Sequence, residues 1–301
     1  MVYGVASPAS SPAHINWLTN LPTLRSPVLI TAFEGWNDAG DAASIAARHF
    51  ADRWKGTALA EIDAEHFYDF TTSRPLVRLD QERRRSLTWP TNLFRSCVVR
   101  DGEQDVVVLL GLEPQLRWRT FCNQVIETAR MLEVSQVITL GALLADVPHS
   151  RPVEVYGASD DEKIRARLDL APSSYEGPTG IVGVLATQCR EAGLPTASLW
   201  SAVPSYVPGA PSPKAGLALV QRVSELLGTS VFATDLEIAA ATYEHQVNEL
   251  VAEDEETASY VADLEEAWDD NVPFDTDADP DLSDDPETLL AEVEQFLRDN
   301  D

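Results

Sequence analysis

The chain has 301 residues, enough for one large α/β body with an appendage or for two small domains, and 44% of them are hydrophobic, ordinary for a globular protein. No stretch approaches the roughly 18–20 apolar residues that span a bilayer, and the amino terminus lacks a basic, apolar leader, so no membrane is expected and the predicted location is cytoplasmic. The net charge of −27 repels phosphate backbones and argues against nucleic acid as a partner; the one basic cluster, Arg83-Arg84-Arg85, reads as a solvated loop.

Residues 1–24 are Ser/Pro/Ala-rich, then loosely apolar, and read as an extended lead-in to an α/β core over 25–230. The apolar run at 27–33 predicts a buried strand. A turn through Gly35, Trp36, Asn37 and Asp38 follows, and then an amphipathic helix over 41–54 with Ala42, Ile45, Ala46, His49, Phe50 and Trp54 on one face. Residues 58–63 predict a second strand. Leu87–Thr88 and Leu93–Val99, joined by a Trp-Pro-Thr-Asn turn, predict a β-hairpin. A strand at 105–112 stops at Gly111-Leu112-Glu113-Pro114, before a helix carrying Trp118, Phe121, Cys122, Val125, Ala129 and Leu132. A strand at 137–144, a strand or strand edge at 153–158 and a charged excursion over 159–171 come next. A helix from Gly177 to Ala192 closes at Gly193, where a left-handed cap is wanted. The last strand spans 195–204, and a helix over 214–227 ends at Gly228. Alternating strands and helices predict a mostly parallel sheet covered on both faces, a three-layer α/β core.

The remainder, 231–301, differs in kind. From Glu249 onward there are 21 acidic residues and one basic residue, Arg298. A heptad seam runs through Leu236, Ala240, Tyr243, Val247, Leu250, Asp254, Thr257, Val261, Leu264 and Trp268, and its polar centre predicts a bend or two helices. Residues 271–285 predict a mobile linker, and Asp285-Pro286 predicts the cap of a last helix with Leu289, Leu290, Val293, Phe296 and Leu297 on one face. That face needs a partner: the body, the preceding helices or another protomer.

Chemistry is sparse. The five histidines form no His-x-x-x-His pair and there is no Cys-x-x-Cys, so neither a metal nor a cofactor is predicted. Cys97, Cys122 and Cys189 read as reduced core thiols, and no Gly-x-Ser-x-Gly elbow is present. Gly177-x-x-Gly180-x-x-Gly183 at a helix start would suit either an anion or close helix–sheet packing. Glu34, Asp38, Glu113 and Asp146 fall just past strand ends, where carboxylates serve acid–base work, hold a cation or cap helices. His149, beside Asp146 and Arg151 in a strand-end loop, stands where ionisable groups tend to be functional. Trp36 and Trp118 beside these loops could anchor a partner or a ligand.

Four segments in order carry a resemblance: Phe33 to Gly40; Tyr68-Asp69-Phe70 with Arg74-Pro75; Gly111 to Pro114 with Trp118; and Gly141 to Pro152. Together they resemble the actinobacterial branch of the proteasome assembly chaperone family over roughly residues 25–230, and the acidic extension is similar to the one that branch carries. The resemblance implies a core related to the phosphorylase/hydrolase-like fold, self-association and a role in protein assembly rather than catalysis. Some chaperones of the family engage the proteasome through a carboxyl-terminal hydrophobic-Tyr-x motif, whereas this sequence ends Leu297-Arg298-Asp299-Asn300-Asp301. The leading expectation is therefore a non-enzymatic assembly chaperone or scaffold, homo-oligomeric, with a protein client. A second expectation is an enzyme or binder of nucleosides or phosphate esters using the strand-end rim. A third makes the acidic arm the binding element for a basic partner. The candidate rim comprises Glu34, Trp36, Asn37, Asp38, Tyr68, Arg74, Glu113, Trp118, Asp146, His149 and Arg151.

Overall fold

A computed structural model describes residues 11–80, 82–173 and 175–270. The linker and last helix expected after 270, and the first ten residues, lie outside the described residues.

The longest apolar runs form the centre of one eight-stranded sheet. Strands β1 (Ile15–Trp17), β2 (Val28–Glu34) and β3 (Thr57–Ile62) come first. A separate pair, β4 (Leu76–Leu79) and β5 (Arg85–Thr88), precedes β6 (Asn92–Cys97), β7 (Val106–Leu112), β8 (Gln136–Ala145), β9 (Val155–Ala158) and β10 (Thr196–Pro204). The sheet order is β1-β3-β6-β7-β2-β8-β10-β9. The four central strands β7, β2, β8 and β10 run parallel, and the strands flanking them on both sides join antiparallel.

Alternation along the central strands sends side chains into two cores. Leu29 and Phe33 of β2, Val107 and Leu109 of β7 and Val137 of β8 face helices α2 (Trp118–Met131) and α4 (Ile181–Glu191). Val28, Ile30 and Ala32, with Val106, Val108, Ile138 and Leu140, face α1 (Ala42–Arg53) and α5 (Pro213–Leu227). Helix, sheet and helix thus form the three layers that the alternating pattern predicts. A short α3 (Glu162–Leu168) lies within the charged excursion and buries Ile164 and Leu168 against Ala197.

One pairing differs from expectation. Leu87–Thr88 does not pair with the segment after Trp89; β5 pairs with β4, while β6 enters the main sheet between β3 and β7. The division follows burial: β6 has Phe94 and Cys97 to bury, and only the main sheet can cover them. The β4–β5 pair closes locally instead. The Asp80 carboxylate accepts from the amides of Glu82 and Arg84, as turn aspartates do.

The heptad seam folds back on its own chain. Helices α6 (Thr234–Ala252) and α7 (Glu255–Asp269) replace one long rod, and the break falls on the polar pair at the seam's centre. Asp254 caps α7 by accepting from the amide of Thr257 at 3.0 Å. Ala240, Tyr243, Val247 and Val261 are buried within the chain, and Trp268 packs on Ala145, Val147 and Ala202 at the ends of β8 and β10. These seam residues are therefore used internally, and the seam by itself does not argue for self-association.

Candidate functional site

The rim residues divide into two groups with different tasks. Around the ends of β2 and β7, polar side chains close two helix starts. Asp38 Oδ1 accepts from the amides of Ala43 at 2.7 Å and Ser44 at 3.2 Å, satisfying the first turn of α1. Glu113 Oε1 accepts from the amide of Ile181 at 2.9 Å, and Asn37 Oδ1 lies 3.4 Å from the amide of Val182, so α4 is closed by side chains from two strand-end loops. A Cβ on Gly180 would stand 2.0 Å from Asn37 Oδ1. Close packing accounts for this glycine, and acceptors within the chain already occupy the amides an anion would need. Asn37 also accepts, through its backbone carbonyl, from the amide of Ala142 at 2.8 Å, which ties the loop to β8.

Three other members of the first group, Glu34, Tyr68 and Trp118, are also engaged within the chain. Glu34 pairs with Arg48 at 2.8 Å. Tyr68 is buried, donates to the Leu112 carbonyl and accepts from the Asn92 amide group; burial, the largest influence, drives its phenol far above the usual range. Trp118 donates from Nε1 to the Pro114 carbonyl. Arg74 is exposed and forms no ion pair among the described residues. Trp36 is the exception in character: it is 66% exposed, although the next two residues, Asn37 and Asp38, are buried. Leu116, before α2, and Tyr175, on the loop leading to α4, add exposed apolar surface on the same rim.

Asp38 carries a testable electrostatic signature. Its Oδ2 is buried without a hydrogen-bond partner among the described residues, and burial raises its carboxyl above the ordinary range. A carboxyl raised on folding stabilises fully below its unfolded value, and that contribution is lost as pH rises through the folded value. Asp38→Asn keeps the accepting oxygen and removes the buried charge. The stability difference between wild type and Asp38→Asn should therefore move toward the variant as pH rises from 4 upward. Asp38→Ala should lose about 1–2 kcal/mol near pH 4, and that loss should shrink as pH rises through the same range. Urea melts at several pH values check both.

The second group seats the extension. His149, 3% exposed, donates from its backbone amide to Tyr206 Oη at 2.7 Å. Its Nδ1 stands 2.8 Å from the same hydroxyl and its Nε2 stands 3.0 Å from Asn248 Oδ1 on α6. The carbonyl acceptor on Asn248 places the ring proton on Nε2, and the tyrosine hydroxyl then donates to Nδ1. Burial pushes this imidazole below its ordinary range. Lys214 donates to the His149 carbonyl and pairs with Glu244 of α6. Arg151 grips Asp269 of α7 with two hydrogen bonds, at 2.9 and 2.7 Å, and Ser150 donates to Glu265. Asp146 accepts from Ser205 at 2.7 Å.

The eleven residues therefore do not converge on one crevice. Tyr206, Lys214, Asn248, Glu265 and Asp269 complete the second group, and sequence reading missed them because each meets its partner across a large sequence separation. His149 is neutral, buried and fully engaged, a poor position for a general base. The three cysteines are buried, and burial pushes each thiol up to about 12, away from nucleophilic behaviour. Among the described residues no cluster of three or more histidine, cysteine or acidic side chains could hold a metal, and no helix is long and apolar enough to cross a membrane.

Comparison with known proteins matches residues 32–251 to the model of the PAC2 family. A PAC2 family protein from Streptomyces avermitilis is 46% identical, with a TM-score of 0.72 over 78% of this chain and 99% of its own. A proteasome-assembly chaperone homologue of Mycobacterium tuberculosis is 44% identical, with a TM-score of 0.71 over 78% of this chain and 99% of its own. A second protein from M. tuberculosis, of unknown function, is 27% identical with a TM-score of 0.76, covering 86% of this chain and 90% of its own. Among curated proteins none matches.

Proposed function

The chain belongs to the PAC2 family, and from that premise we propose that it is a cytoplasmic, non-enzymatic assembly chaperone or scaffold that works as a homo-oligomer on a protein client. The 44% identical mycobacterial relative, named a proteasome-assembly chaperone homologue, supports a proteasome-related client. The observation that carries the reading is Trp36. Folding alone gives no reason to expose a large indole beside two buried polar residues that fix its loop to α1, α4 and β8. An aromatic held out on a rigid loop is what a protein interface uses as an anchor, because little conformational entropy remains to be lost on binding. The occupied helix caps and the engaged His149 support the absence of catalysis at this rim.

Self-association is tested by light scattering on the full chain. The purified protein at micromolar concentration should have a mass at least twice that of one chain, independent of tenfold dilution. A strictly monomeric species would contradict the homo-oligomer.

A further inference from the structure

The β4–β5 hairpin stands apart from both cores. All eight of its residues are exposed. The cross-strand pairs Val77↔Leu87 and Leu79↔Arg85 share one face, and Val77, Leu79 and Leu87 are 57%, 56% and 56% exposed. Beside it, the Trp89 ring packs on Phe70 with centroids 4.8 Å apart and planes tilted by 59°, yet Trp89 remains 45% exposed. None of the three aliphatic residues joins a hydrophobic cluster. An isolated two-stranded pair is marginal in water, and an apolar face of this kind marks a contact surface. The charge here also opposes that of the chain. Residues 74–89 hold five arginines and two acidic residues in a protein of net charge −27. Arg84 pairs with Asp80 and Glu82, while Arg74, Arg78, Arg83 and Arg85 form no ion pair among the described residues.

A complementary segment lies in the same sequence. Residues 271–301 contain 11 acidic residues and one arginine, and they set Leu289, Leu290, Val293, Phe296 and Leu297 at helical spacing. The geometry permits the two to meet within one molecule. Helix α7 ends with Trp268 against Ala145 and Val147, at the carboxyl end of β8. Strand β3 runs in the same direction as β7, because both pair antiparallel with β6, so the connection bearing the hairpin leaves the same rim. Four strand spacings separate β8 from β3, about 19 Å at about 4.8 Å each. The fifteen residues 271–285 can reach up to about 50 Å when extended.

We propose that the basic, apolar face of the β4–β5 hairpin is a docking site for the chain's own acidic carboxyl-terminal segment, residues 286–298. Apolar residues of the segment cover Val77, Leu79 and Leu87, and its carboxylates face the unpaired arginines. The tether makes the effective concentration millimolar, so a weak contact suffices. The inference does not depend on any client.

The test uses the full chain with a photo-crosslinking amino acid in place of Leu87, in a mixture of isotopically light and heavy protein. Irradiation and mass spectrometry should give crosslinks from position 87 to residues 286–298, light to light and heavy to heavy. Combining Arg83→Glu with Arg85→Glu should lower their yield at least tenfold at low salt, and so should Leu290→Asp with Phe296→Asp. With the two proteins mixed before folding, light-to-heavy crosslinks making up about half of the total, as random pairing of copies requires, would assign the face to a second copy and overturn the proposal. Crosslinks elsewhere, none at all, or a yield indifferent to both double variants would overturn it as well.

Discussion

Replacing Gly111 with valine should unfold most of the protein, a loss on the order of 4 kcal/mol or more. Gly111 lies in β7 directly opposite Asn92 of β6. A Cβ there would stand 2.1 Å from the Thr91 carbonyl oxygen, 2.5 Å from Asn92 Oδ1 and 2.6 Å from Asn92 Cα. Two of these atoms are backbone and the third belongs to a fully buried side chain, so nothing can swing aside. The strands would have to separate, and with them the contact of Asn92 with Tyr68 and the Leu112 carbonyl that fixes the end of β7. Alanine at 111 should already cost about 2–3 kcal/mol through the same contacts. Gly209 is the control: its φ is +78° but no atom lies within 4 Å of a Cβ there, so Gly209→Ala should cost only about 1–2 kcal/mol of backbone strain. Guanidinium melts of the three variants check the order.

The second large effect concerns the attachment of α6, which two buried, neutral histidines hold near its two ends. His49 on α1 donates from Nε2 to the Phe232 carbonyl at 3.1 Å, just before the helix, and His149 meets Asn248 near its other end. Burial is the largest influence on both rings and lowers both below the ordinary value. Asp235, Arg53 and Asp52 surround His49; Lys214, Glu244 and Glu265 surround His149. With its pKa depressed by folding, each histidine binds fewer protons in the native state. Its stabilising contribution is complete above the unfolded value near 6.5 and is lost as pH falls toward the folded value. Each should remove about 1.4 kcal/mol per pH unit across that window. Protection against hydrogen exchange in α6 and α7, taken relative to the intrinsic rate at each pH, should therefore fall between pH 7 and pH 5 before that of the central strands. His149→Ala should cost about 2–4 kcal/mol at neutral pH and flatten the acid dependence, since it leaves Asn248 and Tyr206 without their partner. If α6 exchanges no faster than β7 in the variant, His149 does not hold the extension.

How far these features could be read beforehand depended on the range of the forces involved. The runs in β2 and β7 identify themselves, because strands buried on both faces must be apolar throughout. Gly193 and Gly228 follow α4 and α5 with φ of +78° and +61°, positions local sterics already specify. Asp38 as a cap lies within the same local reach, six residues from the last amide it serves. Pairing of Leu87 with Val77 rather than with the segment beyond Trp89 was decided by competition for the main sheet, which no local pattern expresses. The same holds for Arg151 and His149. The sequence places both in a strand-end loop as candidate rim residues, but their partners Asp269 and Asn248 are 118 and 99 residues away. The heptad seam was legible as a pattern, but its periodicity cannot distinguish a partner in another chain from a surface of the same one.

The proposed role rests on an exposed indole offered to another polypeptide by a rim whose polar groups are already satisfied. Quantitative affinity capture of the tagged full chain from its own cells, wild type against Trp36→Asp, tests it most directly. Wild type should retain a defined protein client, with core proteasome subunits foremost, and the variant should lose it at least tenfold while melting within about 1 kcal/mol of wild type, as an exposed site allows. Equal capture by both, or a wild type that retains no protein while a small molecule co-purifies at the Glu34–Glu113 loops, would contradict the account.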